Sequence, residues 1–180
     1  MKFRLGSIVV ALSIQIVPAC AITIEDLQNA IIQTRVNYDM RIRRAEGTFD
    51  TQMSMVWKLK IDSEGRVSGE MTRTVTTPRG PRVQTTPLRG RLGMPGTPAL
   101  GGDGIWLIEG EKLVMLRAFD AGGIKAEVEF SGKAPDFKCA IRAPFVREEG
   151  KEIRTSGSVV GGPVTVLNAA QKSSDCRLTR

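Results

Sequence analysis

The 180-residue chain contains no histidine. That absence rules out a Ser-His-Asp triad, a His-paired cysteine nucleophile, histidine-ligated zinc and any imidazole proton transfer. Cysteine is scarce, at three positions: Cys20, Cys139 and Cys176. None lies in a C-x-x-C pair, so neither a redox motif nor a zinc ribbon is available. Aromatic residues make up only 5% of the chain, so the core must be mainly aliphatic and methionine-based. Nucleotide and hydrolase signatures are missing too. No G-x-S-x-G elbow occurs, and Gly132-Lys133 is followed by Ala134 instead of the Ser or Thr of a phosphate-binding loop.

Long apolar runs are also lacking, with one exception at the start. Lys2 and Arg4 precede an apolar stretch from Leu5 to Val17, Pro18 ends any helix, and Ala19-Cys20-Ala21 has the small-x-small form that signal peptidase accepts. The stretch is too short for the roughly 20 residues of a membrane span. The expectation is a signal peptide over 1–21, a mature chain from Ile22, and a periplasmic or secreted destination. Acylation at Cys20 is the weaker alternative, because proline before the small residue suits a lipoprotein box poorly. Cleavage leaves Cys139 and Cys176 as an even pair in an oxidising space, which predicts a disulfide between them.

The chain carries 26 Lys and Arg against 19 Asp and Glu, and it stays basic without the leader. At 41% hydrophobic and 25% charged, the segment 22–180 reads as one globular domain. Thr23 with Asp26 three residues on forms a capping box before Ile24, Leu27, Ala30 and Ile31, which predicts a short N-terminal helix. Period-two patterning follows. Val36, Tyr38, Met40 and Ile42 alternate with polar residues, and Met53 to Ile61 pairs with Val67 to Val75 across the Asp62-Ser63-Glu64-Gly65 turn.

Further short strands are expected at 105–108, 113–119, 124–130, 139–141, 153–160 and 164–167. Residues 77–103, with five prolines and many glycines, read as a surface loop or edge decoration. The expected fold is therefore all-β: one antiparallel meander of about eight strands closing a small barrel, or else a sandwich, after the short helix. Strands opened by Trp57 and Trp106 and joined by glycine turns resemble, in outline, the small secreted ligand-binding barrels of the lipocalin and avidin type. No motif specific to either is present.

Candidate chemistry is concentrated in arginine. From Met71 to Gly102 the only charged residues are Arg73, Arg79, Arg82, Arg89 and Arg91. Guanidinium forks suit bidentate contact with phosphate or carboxylate, and the Pro78 and Pro81 framework stiffens the presentation of Arg79 and Arg82. These five are the expected ligand-binding residues, and the expected partners are an anionic glycan, a lipid head group or an acidic protein. Nucleic acid is disfavoured, because the block has no aromatic residue to stack bases and the chain is read as exported.

Arg73 falls in the apolar phase between Met71 and Val75. A regular strand would therefore turn it inward, to a cavity or an internal acid, unless a bulge near Gly69 returned it to solvent. A pair of carboxylates remains the one open catalytic route, from Asp103, Glu109 and Glu111 or from Glu148 and Glu149, though turn acids are the simpler account. The reading is a non-enzymatic binding domain without cofactor or metal, with a host-facing or structural interaction module as the alternative.

Overall fold

The computed structural model describes residues 22–93, 105–109, 112–119, 122–132, 136–147, 153–155 and 164–180. They form one short helix and eleven strands. Helix α1 (Ile24–Leu27) opens as expected. The Thr23 hydroxyl accepts from the Asp26 N–H at 3.3 Å, and the Asp26 carboxylate accepts from the Thr23 N–H at 3.0 Å. It lasts one turn rather than running to Ile31. Asn29 adopts a left-handed conformation (φ 60°), and the Ala30 carbonyl accepts from the Ile61 N–H, so the period-two pattern takes over.

Strand β1 (Ile31–Arg44) buries Ile32, Thr34, Val36, Tyr38, Met40 and Ile42 on one face, and β2 (Gly47–Ile61) answers with Met53, Met55, Trp57, Leu59 and Ile61. The predicted hairpin joins β2 to β3 (Arg66–Thr77) in unbroken register from Met53↔Val75 to Ile61↔Val67, so no bulge forms at Gly69. Its turn is closed by Asp62, whose Oδ1 accepts from the N–H groups of Glu64 and Arg66, and by Gly65 at φ +74°. Arg66 binds the same carboxylate at 2.7 Å and holds its pKa down to about 2.

The expectation of a loop over 77–103 is corrected for its first half. Gly80–Arg91 is a strand, β4, pairing with β3 from Thr77↔Gly80 to Arg66↔Arg91. Prolines fit because this is an edge. The two-residue turn makes Thr77 and Gly80 a hydrogen-bonded pair, so alternation turns the odd-numbered backbone groups of β4, including those of Pro81 and Pro87, toward the open side. The two prolines also blunt that edge against pairing with another chain. Residues 94–103 lie outside the described segments.

A second meander follows in β5 (Ile105–Glu109), β6 (Lys112–Phe119), β7 (Gly122–Ser131) and β8 (Lys138–Arg142), with β9 (Phe145–Arg147) also pairing to β7. Strands β10 (Ile153–Thr155) and β11 (Val164–Thr179) return to the first sheet, whose order is β10-β11-β1-β2-β3-β4. The expected single meander is thus interrupted. Two antiparallel sheets form, and no closed barrel is found among the described residues.

One apolar cluster is shared by the two sheets, with Tyr38, Trp57 and Leu59 from the first and Leu113, Val128, Phe130 and Ile141 from the second. The sheets are tied along β8 and β11, where the predicted Cys139–Cys176 disulfide is present with a Cα separation of 5.6 Å. Beside it the Tyr38 hydroxyl donates to the Ala143 carbonyl at 2.7 Å, and the Ala143 N–H donates to the Gln171 side chain at 2.9 Å. On the far side the Ile108 N–H donates to the Gly93 carbonyl. Among the described residues no helix is long and apolar enough to cross a membrane.

Candidate functional site

The β1–β2 and β3–β4 hairpins point their tips to the same end of the first sheet, but they do not stay together. The β2–β3 ladder stops at Met53↔Val75. Beyond that point β1–β2 pairing continues to Arg44↔Gly47, and β3–β4 pairing continues to Thr77↔Gly80. The two hairpins therefore splay, and a cleft of about 420 Å³ opens in the fork. One wall is Ile42, Arg44, Glu46, Phe49, Asp50 and Thr51; the other is Thr76, Thr77, Pro78, Arg79 and Arg82. The Thr51 hydroxyl donates to the Thr76 carbonyl and so bridges the two walls.

Each side chain reaches the fork for a local reason. Arg44 continues the inward phase of β1 past Ile42, so its guanidinium stem turns under the hairpin, and its Nε is buried with no hydrogen-bond partner among the described residues. Phe49 sits directly across from Ile42 in the inward phase of β2, yet it remains 41% exposed because no third strand covers it there. Its ring folds back over Gly47, with Cζ 3.8 Å from where a β-carbon would stand. Arg79 occupies the two-residue turn after Pro78. The Thr77 hydroxyl braces that turn by donating to the Gly80 carbonyl at 2.7 Å, and Gly80 takes φ +100°, a conformation other residues rarely adopt. Arg82 is opposite Val75, in the inward phase of β4.

The five arginines of the sequence block are thus divided. Arg79 and Arg82 share the cleft, and Arg44 joins them. Arg73 lies one step deeper on the same face, half-buried opposite Met55, with its Nη2 donating to Gln84 at 2.6 Å. The inward reading of Arg73 therefore holds, with a cross-strand glutamine as a partner. Arg89 and Arg91 are in the opposite phase of β4, exposed on the outer face and about 23–30 Å along the strand from Arg82 at 3.3 Å per residue. Arg91 faces Arg66, whose charge is already engaged by Asp62 and Glu64 at 2.7 and 3.0 Å.

Arg44 and Phe49 were missed by composition, since neither belongs to a charge block. The signal that could have found them is the alternation itself, carried two residues past Ile42 on β1 and four residues ahead of Met53 on β2. Of the acids singled out for paired-carboxylate chemistry, Asp103, Glu111, Glu148 and Glu149 lie outside the described residues. Two others, Glu46 and Asp50, stand at the mouth of the cleft, and Asp50 also faces the Arg41 guanidinium at 4.0 Å. No group of three or more potential metal ligands occurs among the described residues.

Electrostatically the fork sets three guanidinium groups, from two independent hairpins, against the two carboxylates of Glu46 and Asp50, with Ile42 and Phe49 as its apolar lining. Such a site can grip an oxyanion in bidentate fashion. No protein-family model, curated protein or solved structure matches the chain.

Proposed function

We propose that the chain is an exported, non-enzymatic binding domain that holds an anionic ligand in the fork between its first two hairpins. The observation that carries this reading is the placement of Arg44, Arg79 and Arg82 around one cleft of about 420 Å³, within the size range of small-molecule sites. Two neighbouring features support it. Arg73 is anchored to Gln84 just below, and the Pro78 turn fixes the reach of Arg79 before any ligand arrives, which lowers the ordering cost of binding. The two-sheet arrangement around one core is best described as an incomplete, sandwich-like envelope whose open end is this fork.

Export is the second part of the proposal. It rests on the leader pattern of residues 1–21 and is supported by the disulfide between the sheets, a bond that persists in oxidising compartments. The protein-interaction alternative rests on the Pro/Gly segment 77–103 docking on another protein, and residues 94–103 of that segment lie outside the described residues.

Titration calorimetry with inorganic pyrophosphate at low ionic strength tests the anion reading. The double variant Arg79→Ala/Arg82→Ala is expected to lose about tenfold or more in affinity, since a charge-assisted hydrogen bond contributes roughly 1.5–3 kcal/mol. Arg89→Ala/Arg91→Ala, on the other face, is expected to bind as the parent does. The reading is wrong if the second pair weakens binding and the first does not.

A further inference from the structure

We infer that the ligand of the fork is a single-chain anionic amphiphile, with a phosphate or carboxylate head on the guanidinium groups and an alkyl chain against Phe49 and Ile42. The inference rests on the anion reading above and specifies its chemical class. It follows from two groups in the cleft that each ask for a different kind of partner. Phe49 lies in the core-facing phase of its strand, opposite buried Ile42, but keeps 41% of its surface exposed because the β2–β3 ladder has already ended. Arg44, its neighbour across the hairpin tip, has a buried Nε with no hydrogen-bond partner among the described residues.

A purely hydrophilic anion would satisfy Arg44, Arg79 and Arg82 while leaving the Phe49 face in water. An uncharged hydrocarbon would cover Phe49 and leave the Arg44 guanidinium, whose Nε is buried without a partner among the described residues, uncompensated. Only a molecule with both ends meets both demands. Size narrows the class further. About 420 Å³ lies near the lower end of the small-molecule range, which suits one alkyl chain and its head rather than a polysaccharide track or a two-chain lipid. Among the cleft residues Glu46 and Asp50 carry negative charge at its mouth. They disfavour an extended polyanion and leave room for one compact acidic head.

The test uses the mature full-length chain and a wild-type ligand series, so that no variant need fold differently. Affinity is measured by calorimetry for inorganic phosphate, hexyl phosphate, dodecyl phosphate below its micellar concentration, and dodecyl maltoside. The expected result is a rise of about fourfold per methylene added until the cleft is full, the increment of a buried CH₂, with dodecyl maltoside binding at least tenfold more weakly than dodecyl phosphate. Phe49→Ser is expected to weaken dodecyl phosphate about tenfold more than it weakens pyrophosphate, and Phe49→Leu is expected to restore most of the loss.

Chain-length independence with retained pyrophosphate binding would overturn the amphiphile and keep the anion reading. Binding of dodecyl maltoside equal to that of dodecyl phosphate would overturn both. Tighter binding to phosphatidylglycerol vesicles than to dodecyl phosphate, lost in Phe49→Ser, would overturn the single-chain assignment.

Discussion

Tyr38 is the sole tyrosine of the chain, which makes its ionisation directly readable. It is 1% exposed, its hydroxyl donates to the Ala143 carbonyl at 2.7 Å, and burial pushes its phenol above the ordinary value near 10. A pKa raised on folding means that the folded state favours the protonated form. The stability from that preference is fully present below pH about 10, the unfolded value, and is lost as pH rises from there toward the folded value. Alkaline titration is therefore expected to show no tyrosinate absorbance in the native protein at pH 10, and its later appearance should coincide with loss of far-ultraviolet β signal. Tyrosinate forming at pH 10 with the fold intact would show that Tyr38 is not sealed at the junction of the sheets. Arg79 in the fork is the opposite case: its value lies in an exposed guanidinium, held in place by a stiff turn rather than by burial.

At the scale of elements, the contact between β2 and β3 is unusually close at Gly69. It sits between Leu59 and Leu88 in register, and a β-carbon there would stand 1.9 Å from the Lys58 carbonyl oxygen, a backbone atom that cannot swing away. Gly69→Ala is expected to destabilise the domain by about 2–4 kcal/mol, in the range of backbone strain and overpacking, read as a lower urea midpoint. An unchanged midpoint would mean that the strands can separate there at little cost. The same two strands part beyond Met53 and Val75, so the fork is made by a ladder that is tight at one end and ends early at the other. Alternation made the β2–β3 hairpin legible, because Met53 to Ile61 is apolar at every second position and Val67 to Val75 keeps that phase apart from Gly69 and Arg73. It hid β4, whose prolines resemble loop punctuation unless the strand is known to be an edge. It hid most of β11 as well: Asn168 to Thr179 is largely exposed, and its strand character comes from the β1 ladder rather than from its own side chains. The cleft lay further out of reach, since the point where a ladder ends is a property of two strands. Arg79 and Arg82 could be flagged by charge alone, whereas Arg44 and Phe49 gain meaning only from the missing third strand.

The molecule as a whole depends on how its two meanders are joined. Beside apolar contact, the join along β8 and β11 includes, among the described residues, the Tyr38 and Gln171 hydrogen bonds with Ala143 and the Cys139–Cys176 bridge, spanning 37 positions of sequence. Closing a loop of that length in the unfolded chain contributes about 4 kcal/mol in the chain-entropy model. That is a large share of the roughly 5–15 kcal/mol of a typical domain. Reduction, or Cys139→Ser/Cys176→Ser, is expected to lower stability by about 2–4 kcal/mol, detected as a fall in the urea midpoint. An unchanged midpoint would show that the apolar interface alone secures the second sheet. Thiol counting links this bridge to export, because the third cysteine, Cys20, lies in the proposed leader. A chain cleaved after Ala21 has no free thiol before reduction and two afterwards, whereas an uncleaved chain with the same bridge has one and three. Cleavage before an acylated Cys20 also leaves none and two, but adds the mass of the lipid and retains Cys20 and Ala21. Titrating thiols before and after reduction, with an intact mass on the same sample, therefore separates the three fates. A free thiol in chain already shown to begin at Ile22 would mean that the two sheets are held together without the bridge.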